Sequence, residues 1–148
     1  MGNSSDKSFS IFHTLTIKAS VDKVFDAVSD PKHLVNWWPQ RCTGSPKLGS
    51  IYNFYFSEEY DWFGKVVSVN PKKSIHIKMT ESDQDWNPTT FGFDLEESGE
   101  KVVVKFSHTN WPACNEHFKI ASYCWAILLQ GLKNYLEKGI IVPFEERE

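Results

Sequence analysis

The chain has 148 residues, of which 24% are charged, and a net charge of −3 at pH 7. This length fits one domain over 1–148, with a flexible start at 1–8 and a tail at 140–148, and the composition is typical of a folded protein rather than a disordered one. The acidic balance and the lack of a Lys/Arg stripe exclude the electrostatic footprint of a nucleic-acid-binding protein.

The cysteines and histidines predict neither a disulfide framework nor a metal site. Cys42, Cys114 and Cys124 have no C-x-x-C spacing, and the five histidines show no metal-ligand spacing. The sequence contains no signal peptide and no apolar window approaching the length of a membrane span. We therefore expect reduced thiols, no metal, no cofactor, no membrane insertion and a cytoplasmic location.

The first third of the chain predicts a strand and two short helices. Apolar residues alternate over 9–18, which is the period of a half-buried strand. Ser20 then precedes apolar residues at helical spacing and is a candidate N-cap. Asp30-Pro31 starts a second helix, because an N-cap residue is followed by proline at the first helical position. Gly44 and Gly49 indicate a loop after these helices.

The middle of the chain predicts a meander of strands. Alternating apolar residues are separated by turn residues such as Asn70-Pro71 and Ser98-Gly99. Turns this short make neighbouring strands antiparallel. The predicted strands cover 52–56, 62–69, 75–79, 91–95 and 102–106.

The last third of the chain predicts one long helix over 115–138. Apolar residues recur every three or four positions from Phe118 to Leu136. Lys138 suits the negative end of the helix dipole, and Gly139 suits a left-handed C-terminal cap.

These elements imply a mismatch of widths between sheet and helix. Six strands about 4.8 Å apart make a sheet roughly 25 to 30 Å wide, whereas a helix is only about 10 to 12 Å thick. The sheet must curl around the helix, and large rings face the gap between them. These rings either fill a solid core or line a hollow, and the pattern alone leaves both alternatives open. The residues that we expect to contact a ligand in such a hollow are Trp37, Trp38, Tyr52, Phe54, Phe56, Trp62, Phe91, Phe93, Phe106, His108, Phe118, Trp125 and Leu129.

His108 is the polar member of this set. It could bond a ligand carbonyl or carboxylate, but a buried histidine is more often satisfied by a backbone group, and we favour that interpretation. A loop that contains Asp83, Asp85 and Trp86 is a candidate cover for the mouth of the hollow. Other acid or base candidates are Tyr123, Glu58 and Asp61, whose surroundings favour a half-packed tyrosine and a solvated turn, so we assign no catalytic residue.

Several motifs together resemble one superfamily from about Phe9 to Gly139. They are Asp30-Pro31 with Trp37-Trp38-Pro39, Gly64, Val66 and Val69 before Pro71, His108-Thr109-Asn110-Trp111, and Trp125, Leu129, Leu132-Lys133 and Tyr135-Leu136-Glu137. This arrangement resembles the SRPBCC superfamily, which includes START and birch-pollen-allergen domains. Within it, the chain is most similar to the homologues of the activator of heat-shock protein 90 ATPase.

The resemblance implies an α+β helix-grip fold. A curved antiparallel sheet of six or seven strands would wrap around the long C-terminal helix, with two short helices after the first strand and a deep pocket between sheet and helix.

Three functions follow as hypotheses. The first is non-catalytic binding of a hydrophobic or amphipathic small molecule, including lipids, in an internal cavity. The second is stimulation of the heat-shock protein 90 ATPase, although such activators carry an additional N-terminal domain that we do not expect here. The third is a polyketide cyclase or dehydratase that uses His108. Candidate partners are therefore the small molecule, a chaperone and a second copy of the chain.

Overall fold

One seven-stranded antiparallel sheet curves around one long helix in the computed structural model, which describes residues 8–147. The strands stand in the order β1-β7-β6-β5-β4-β3-β2. This architecture confirms the predicted helix-grip fold. In chain order the elements are β1 (Phe9–Ile17), α1 (Val21–Ser29), α2 (Pro31–Leu34), β2 (Arg41–Thr43), β3 (Ile51–Tyr55), β4 (Asp61–Asn70), β5 (Ser74–Glu81), β6 (Thr90–Ser98), β7 (Lys101–Trp111) and α3 (Glu116–Lys138).

The caps predicted for the short helices are present. The Ser20 hydroxyl accepts a hydrogen bond from the Lys23 N–H at 3.3 Å, and the Asp30 carboxylate accepts one from the Lys32 N–H at 3.0 Å. Each bond satisfies a backbone donor that has no partner inside its helix. The two helices therefore begin where the sequence predicts.

Helix α3 is fixed at both ends by its own sequence. The side-chain oxygen of Asn115 accepts a hydrogen bond from the Phe118 N–H at 2.9 Å, and Gly139 closes the helix with a φ of 69°. A left-handed residue at this position costs glycine little because it has no Cβ. Ala121, Trp125, Leu129 and Leu132 form the buried stripe that α3 turns toward the sheet.

Two hydrogen bonds from buried rings hold the helix pair, one within this region and one from the sheet. The Trp37 indole donates to the Ala27 carbonyl at 2.8 Å, and the Tyr52 hydroxyl donates to the Ser29 carbonyl. Buried polar groups of this kind are costly unless they are paired, so the first bond fixes the segment after α2 against α1 and the second fixes the end of α1 against β3.

One strand of the sheet, β2, was not predicted from the sequence. The three residues of β2, Arg41 to Thr43, pair with β3 and lie just before the loop that Gly44 and Gly49 indicate. Three residues are too few to display an alternating pattern, which explains why this edge strand escapes detection.

A bulge near the end of β7 reverses the alternation of side chains. Ile11 pairs with His108, whereas Phe9 pairs with Trp111, so β7 contains an additional residue there. Asn110 takes a positive φ of 65° within this bulge. His108 and Trp111 are consequently both buried on the concave side of the sheet, although strict alternation would place them on opposite faces.

The chain after α3 folds back onto the loop that follows α2. Phe144–Glu146 form a short 3-10 turn, and the Arg147 guanidinium donates to the carbonyls of Trp38 and Pro39. Of the predicted flexible start, all but Ser8 lies outside the described residues, as does Glu148 at the end of the tail. Within residues 8–147, no helix is both long and apolar enough to cross a membrane.

Candidate functional site

A cavity of about 370 Å³ opens at one end of the molecule, between α3, the turn from β3 to β4, the loop from β5 to β6, and the tail. This volume falls within the range of small-molecule sites, toward its lower end. Its walls are mostly aromatic and aliphatic. The cavity is lined by Trp38, Phe56, Tyr60, Trp62, Trp86, His117, Ile120, Ala121, Cys124, Trp125, Leu128, Phe144 and Arg147.

Packed rings form the inner wall of this cavity. The ring of Trp125 lies 4.8 Å from that of Trp38 and 4.4 Å from that of Phe106, measured between centroids. Trp38 in turn lies 4.9 Å from Phe54. Aromatic pairs at these separations are in contact and leave no room for a ligand between them. The sequence left a solid core and a hollow as alternatives, and the structure has both. Packed rings fill the inner part of the space between sheet and helix, and the cavity lies beside them.

The structure brings four of the thirteen predicted ligand residues to this cavity: Trp38, Phe56, Trp62 and Trp125. The other predicted residues lie outside its lining, where eight are buried and Phe118 is half-buried against Trp111. Their assignment to ligand contact stays a prediction. These nine are Trp37, Tyr52, Phe54, Phe91, Phe93, Phe106, His108, Phe118 and Leu129.

The cavity also has lining residues that were not predicted from the sequence. Ile120, Cys124 and Leu128 stand four residues apart on α3, next to the stripe that packs on the sheet. Their helical spacing could have identified them as a second apolar face. Phe144 and Arg147 carry no such signal, because they lie in the tail that follows the last periodic segment.

The loop from β5 to β6 places Trp86 in the wall of the cavity. The Asp83 carboxylate accepts hydrogen bonds from the backbone N–H groups of Asp85 at 3.0 Å and Trp86 at 2.9 Å. Asp85 reaches across to α3, where its Oδ2 lies 2.8 Å from Nδ1 of His117. Only 7% of Trp86 is exposed, and its ring lies 4.9 Å from that of Trp62. The loop is thus held by its own carboxylates with its tryptophan turned inward.

His108 lies behind this wall with both ring nitrogens occupied. Its Nδ1 accepts a hydrogen bond from the Trp125 indole at 3.0 Å, and its Nε2 lies 2.8 Å from the hydroxyl of Thr89. The Thr89 hydroxyl donates onward to the Trp86 carbonyl at 2.6 Å, so Nε2 carries the hydrogen and the ring is neutral. Burial, with a smaller contribution from His117, lowers the pKa of His108 to about 3. The hydrogen-bond partners of the His108 ring are side chains rather than the backbone group that we expected.

The remaining acid and base candidates lie away from the cavity lining. Tyr123 is 69% exposed on the outer side of α3, and Glu58 is exposed on the β3–β4 turn. The Asp61 carboxylate accepts a hydrogen bond from the Asn53 side chain at 2.6 Å. In the part of the chain that the structure describes, no group of three or more His, Cys, Asp or Glu residues could hold a metal ion.

Arg147 is the permanently charged residue of the cavity wall. Only 8% of this residue is exposed, its Nε donates to the Val142 carbonyl at 2.9 Å, and its Nη1 donates to the carbonyls of Trp38 and Pro39 at 3.3 Å each. Burial lowers the pKa of the guanidinium, and Glu145 opposes this shift. No carboxylate within residues 8–147 forms an ion pair with it.

Comparisons with solved structures find the same fold in other proteins. The solution structure of the Aha1 dimer from Colwellia psychrerythraea is 29% identical, with a TM-score of 0.81 over 88% of this chain and 98% of that one. Protein SSP2350 from Staphylococcus saprophyticus is 18% identical, with a TM-score of 0.76 over 90% and 96%. CalU16 from Micromonospora echinospora is 20% identical, with a TM-score of 0.71 over 95% and 84%.

No curated protein matches the chain significantly. The family model described as "Activator of Hsp90 ATPase homolog 1-like protein" matches residues 18–137, which include both short helices, the sheet from β2 to β7 and nearly all of α3. The chain belongs to this family.

Proposed function

We propose that the protein binds a hydrophobic or amphipathic small molecule in the cavity and performs no reaction on it. The observation that carries this proposal is the cavity of about 370 Å³ whose wall includes four tryptophans, Trp38, Trp62, Trp86 and Trp125. Apolar surface exposed in a concave site gains free energy when a ligand displaces water from it. A protein that needed only a stable core would gain by closing this space with side chains.

The hydrogen-bonding state of the tryptophans supports an amphipathic ligand. The indole N–H groups of Trp37 and Trp125 donate to protein acceptors. The indoles of Trp38 and Trp86 form no side-chain hydrogen bond with any described residue, although both rings line the cavity. A ligand oxygen would satisfy such donors while its apolar body covers the rings.

A catalytic role for His108 has less support. Both of its nitrogens are bonded to protein groups, and the ring lies outside the cavity lining. A general acid or base needs a free nitrogen within hydrogen-bond reach of the reacting group. We therefore prefer binding to the cyclase-like alternative.

A larger side chain that fills the cavity should weaken binding. Ala121 lines the cavity from α3 and is 7% exposed, so the ring of Ala121→Phe would occupy part of the space. We expect ligands found by thermal-shift screening or native mass spectrometry of the wild-type chain to lose at least about tenfold in affinity, because an inserted ring must be displaced.

The matched control is Ala126→Phe on the same helix. Ala126 is exposed and does not line the cavity, so this variant should bind as the wild type does. Equal binding by the two variants would contradict the cavity as the site, and a wild-type chain that binds no ligand class would contradict the proposal itself.

The family membership favours one further function, stimulation of the Hsp90 ATPase. The matched family is described as activator-like, and one similar structure is an Aha1 dimer from Colwellia psychrerythraea. A chaperone is then a second candidate partner, and another copy of the chain is a third.

An ATPase assay with purified Hsp90 tests this second function. We expect the turnover of the chaperone to rise with the concentration of the chain and to reach a plateau. An Hsp90-specific ATP-site inhibitor must abolish the increase, which excludes a contaminating ATPase. Unchanged turnover at saturating protein would remove this function.

A further inference from the structure

We propose that the cavity selects an apolar, ring-bearing molecule that carries a carboxylate, and that Arg147 binds this carboxylate. The inference deepens the proposed function, because it requires that the cavity bind a small molecule. It rests on the charge balance of the wall, the geometry of the guanidinium and the shape of the rings.

The charge balance of the wall favours an anion. None of the thirteen lining residues is an aspartate or a glutamate, and Arg147 is the lining residue that is charged at every physiological pH. His117 also lines the cavity, but its two ring nitrogens lie 2.8 Å from the carboxylate of Asp85 and 3.8 Å from that of Asp83. The lining therefore presents the positive charge of Arg147 to its contents, and Glu145, the carboxylate that acts on this charge, is not a lining residue.

The geometry of Arg147 leaves donors for a ligand. Its Nε and Nη1 already donate to three backbone carbonyls, which hold the guanidinium plane in place. Its Nη2 donates to no group among residues 8–147 and is not among the buried polar atoms without a partner, so it remains accessible. A guanidinium that is fixed in advance loses little side-chain entropy when it binds a carboxylate.

Neutral carbonyls compensate this buried charge only in part. A buried guanidinium is stable when a counter-ion and hydrogen bonds together replace its hydration. From the described part of the chain, Arg147 has the hydrogen bonds and the attraction of Glu145, but no carboxylate in ion-pair contact. A carboxylate in the cavity would supply the counter-ion. Because Arg147 is only 8% exposed, the attraction would be stronger than at an exposed arginine.

The rings determine what the rest of the ligand must be. The rings of Trp62 and Trp86 lie 4.9 Å apart and are tilted by 45°, and Phe56 meets Trp62 edge-on. Flat aromatic walls of this kind favour a ligand that presents ring faces and edges. Arg147 lies beside Phe144 at the tail, with its guanidinium 5.8 Å from the centre of that ring. A ligand with an aromatic body and a short acidic arm would therefore contact both the aromatic wall and the Arg147 guanidinium.

Calorimetric titration with four probes tests this inference. Naphthalene-2-acetate, naphthalene-2-acetamide and 2-(naphthalen-2-yl)ethylammonium share one ring system and differ in charge, while decanoate has the carboxylate without rings. We expect the wild type to bind the acetate at least about tenfold more tightly than the acetamide, because a charge-assisted hydrogen bond is stronger than a neutral one. The ammonium probe should bind most weakly, and decanoate should bind more weakly than the acetate.

The variant Arg147→Met should remove the preference for the acetate over the acetamide. Arg41→Met is the matched control, because Arg41 is exposed and its guanidinium lies 4.2 Å over the Tyr55 ring, away from the cavity lining. The readout is the ratio of the two affinities within each protein, which a general loosening of the tail does not change. If Arg147→Met binds neither probe, Arg147→Lys decides, since a retained preference supports the inference and a lost one overturns it.

The outcomes separate this inference from the proposed function. Equal binding of acetate and acetamide by the wild type overturns the anion site and leaves a small-molecule site intact. A preference that persists in Arg147→Met overturns the role of Arg147, and tighter binding of decanoate than of the acetate overturns the ring requirement. If none of the four probes binds to the wild type, both proposals fail for this ligand class.

Discussion

The substitution Trp125→Ala is expected to lower the free energy of unfolding by about 3 to 5 kcal/mol, the usual cost of removing a large buried aromatic side chain. Trp125 is 1% exposed and packs on rings from three directions. Trp38 contacts it from the loop after α2, Phe106 from β7 and Trp86 from the loop between β5 and β6. These rings belong to separate segments and cannot all close the space that the indole leaves.

A second cost adds to the lost packing. The Trp125 indole is the donor to Nδ1 of His108, which is itself fully buried. Its removal leaves that nitrogen without a partner, which costs about 1 to 3 kcal/mol in addition. Trp125→Phe keeps most of the ring and isolates this second contribution.

Urea unfolding at neutral pH, followed by circular dichroism, measures both variants. Tyr123→Ala is the matched control, because this tyrosine lies two residues away on the same helix and is 69% exposed. Its loss should change the stability by less than about 0.5 kcal/mol, as is usual for surface positions. A Trp125→Ala protein as stable as the control would show that the ring cluster does not hold α3 on the sheet.

Acid is expected to destabilise the protein through His108 by about 2 kcal/mol at about pH 5, relative to about pH 7.5. The pKa of His108 is lowered from 6.5 to about 3 in the folded state, because the ring is buried and His117 adds a smaller effect. A lowered histidine pKa means that only the unfolded chain takes up the proton at mild acid pH. The contribution of His108 to the free energy of unfolding is therefore complete above pH 6.5 and is lost progressively as the pH falls toward 3.

His108→Gln separates this effect from the other titrating groups. Glutamine can accept from the Trp125 indole and donate to the Thr89 hydroxyl, so it can keep both hydrogen bonds without a titrating ring. The variant should be less stable at neutral pH, yet its stability should fall by about 2 kcal/mol less on acidification than that of the wild type. Parallel curves of stability against pH would contradict a neutral, buried His108.

The sequence predicted those helices and strands whose caps and apolar periodicity lie within the element or next to it. Helix α3 has a cap residue, a repeating apolar stripe and a terminal glycine, and these fix both of its ends without reference to the rest of the protein. Tyr52 and Phe54 alternate with polar neighbours, and their burial on the concave face follows from the pleat alone. The short helices are equally local, because Ser20 and Asp30 bond to residues two or three positions away.

The cavity could be predicted only in part, because its position depends on contacts between distant segments. Alternation identifies which rings face inward but not which of them meet one another and fill the space. Trp111 turns inward because a bulge at Asn110 shifts the register. No pattern in the sequence of β7 indicates this extra residue. Arg147 reaches the cavity through carbonyls of Trp38 and Pro39, more than a hundred residues earlier in the chain.

The position of β1 beside β7 has a consequence for how the chain reaches its native state. β1 is the first strand to be synthesised, but its partner in the sheet is the last, and the two run antiparallel from Phe9–Trp111 to Ile17–Val102. A nascent β1 has to wait until almost the entire domain has left the ribosome. Such non-local pairing raises the contact order, slows the folding reaction and leaves an apolar strand exposed to aggregation or to molecular chaperones in the meantime.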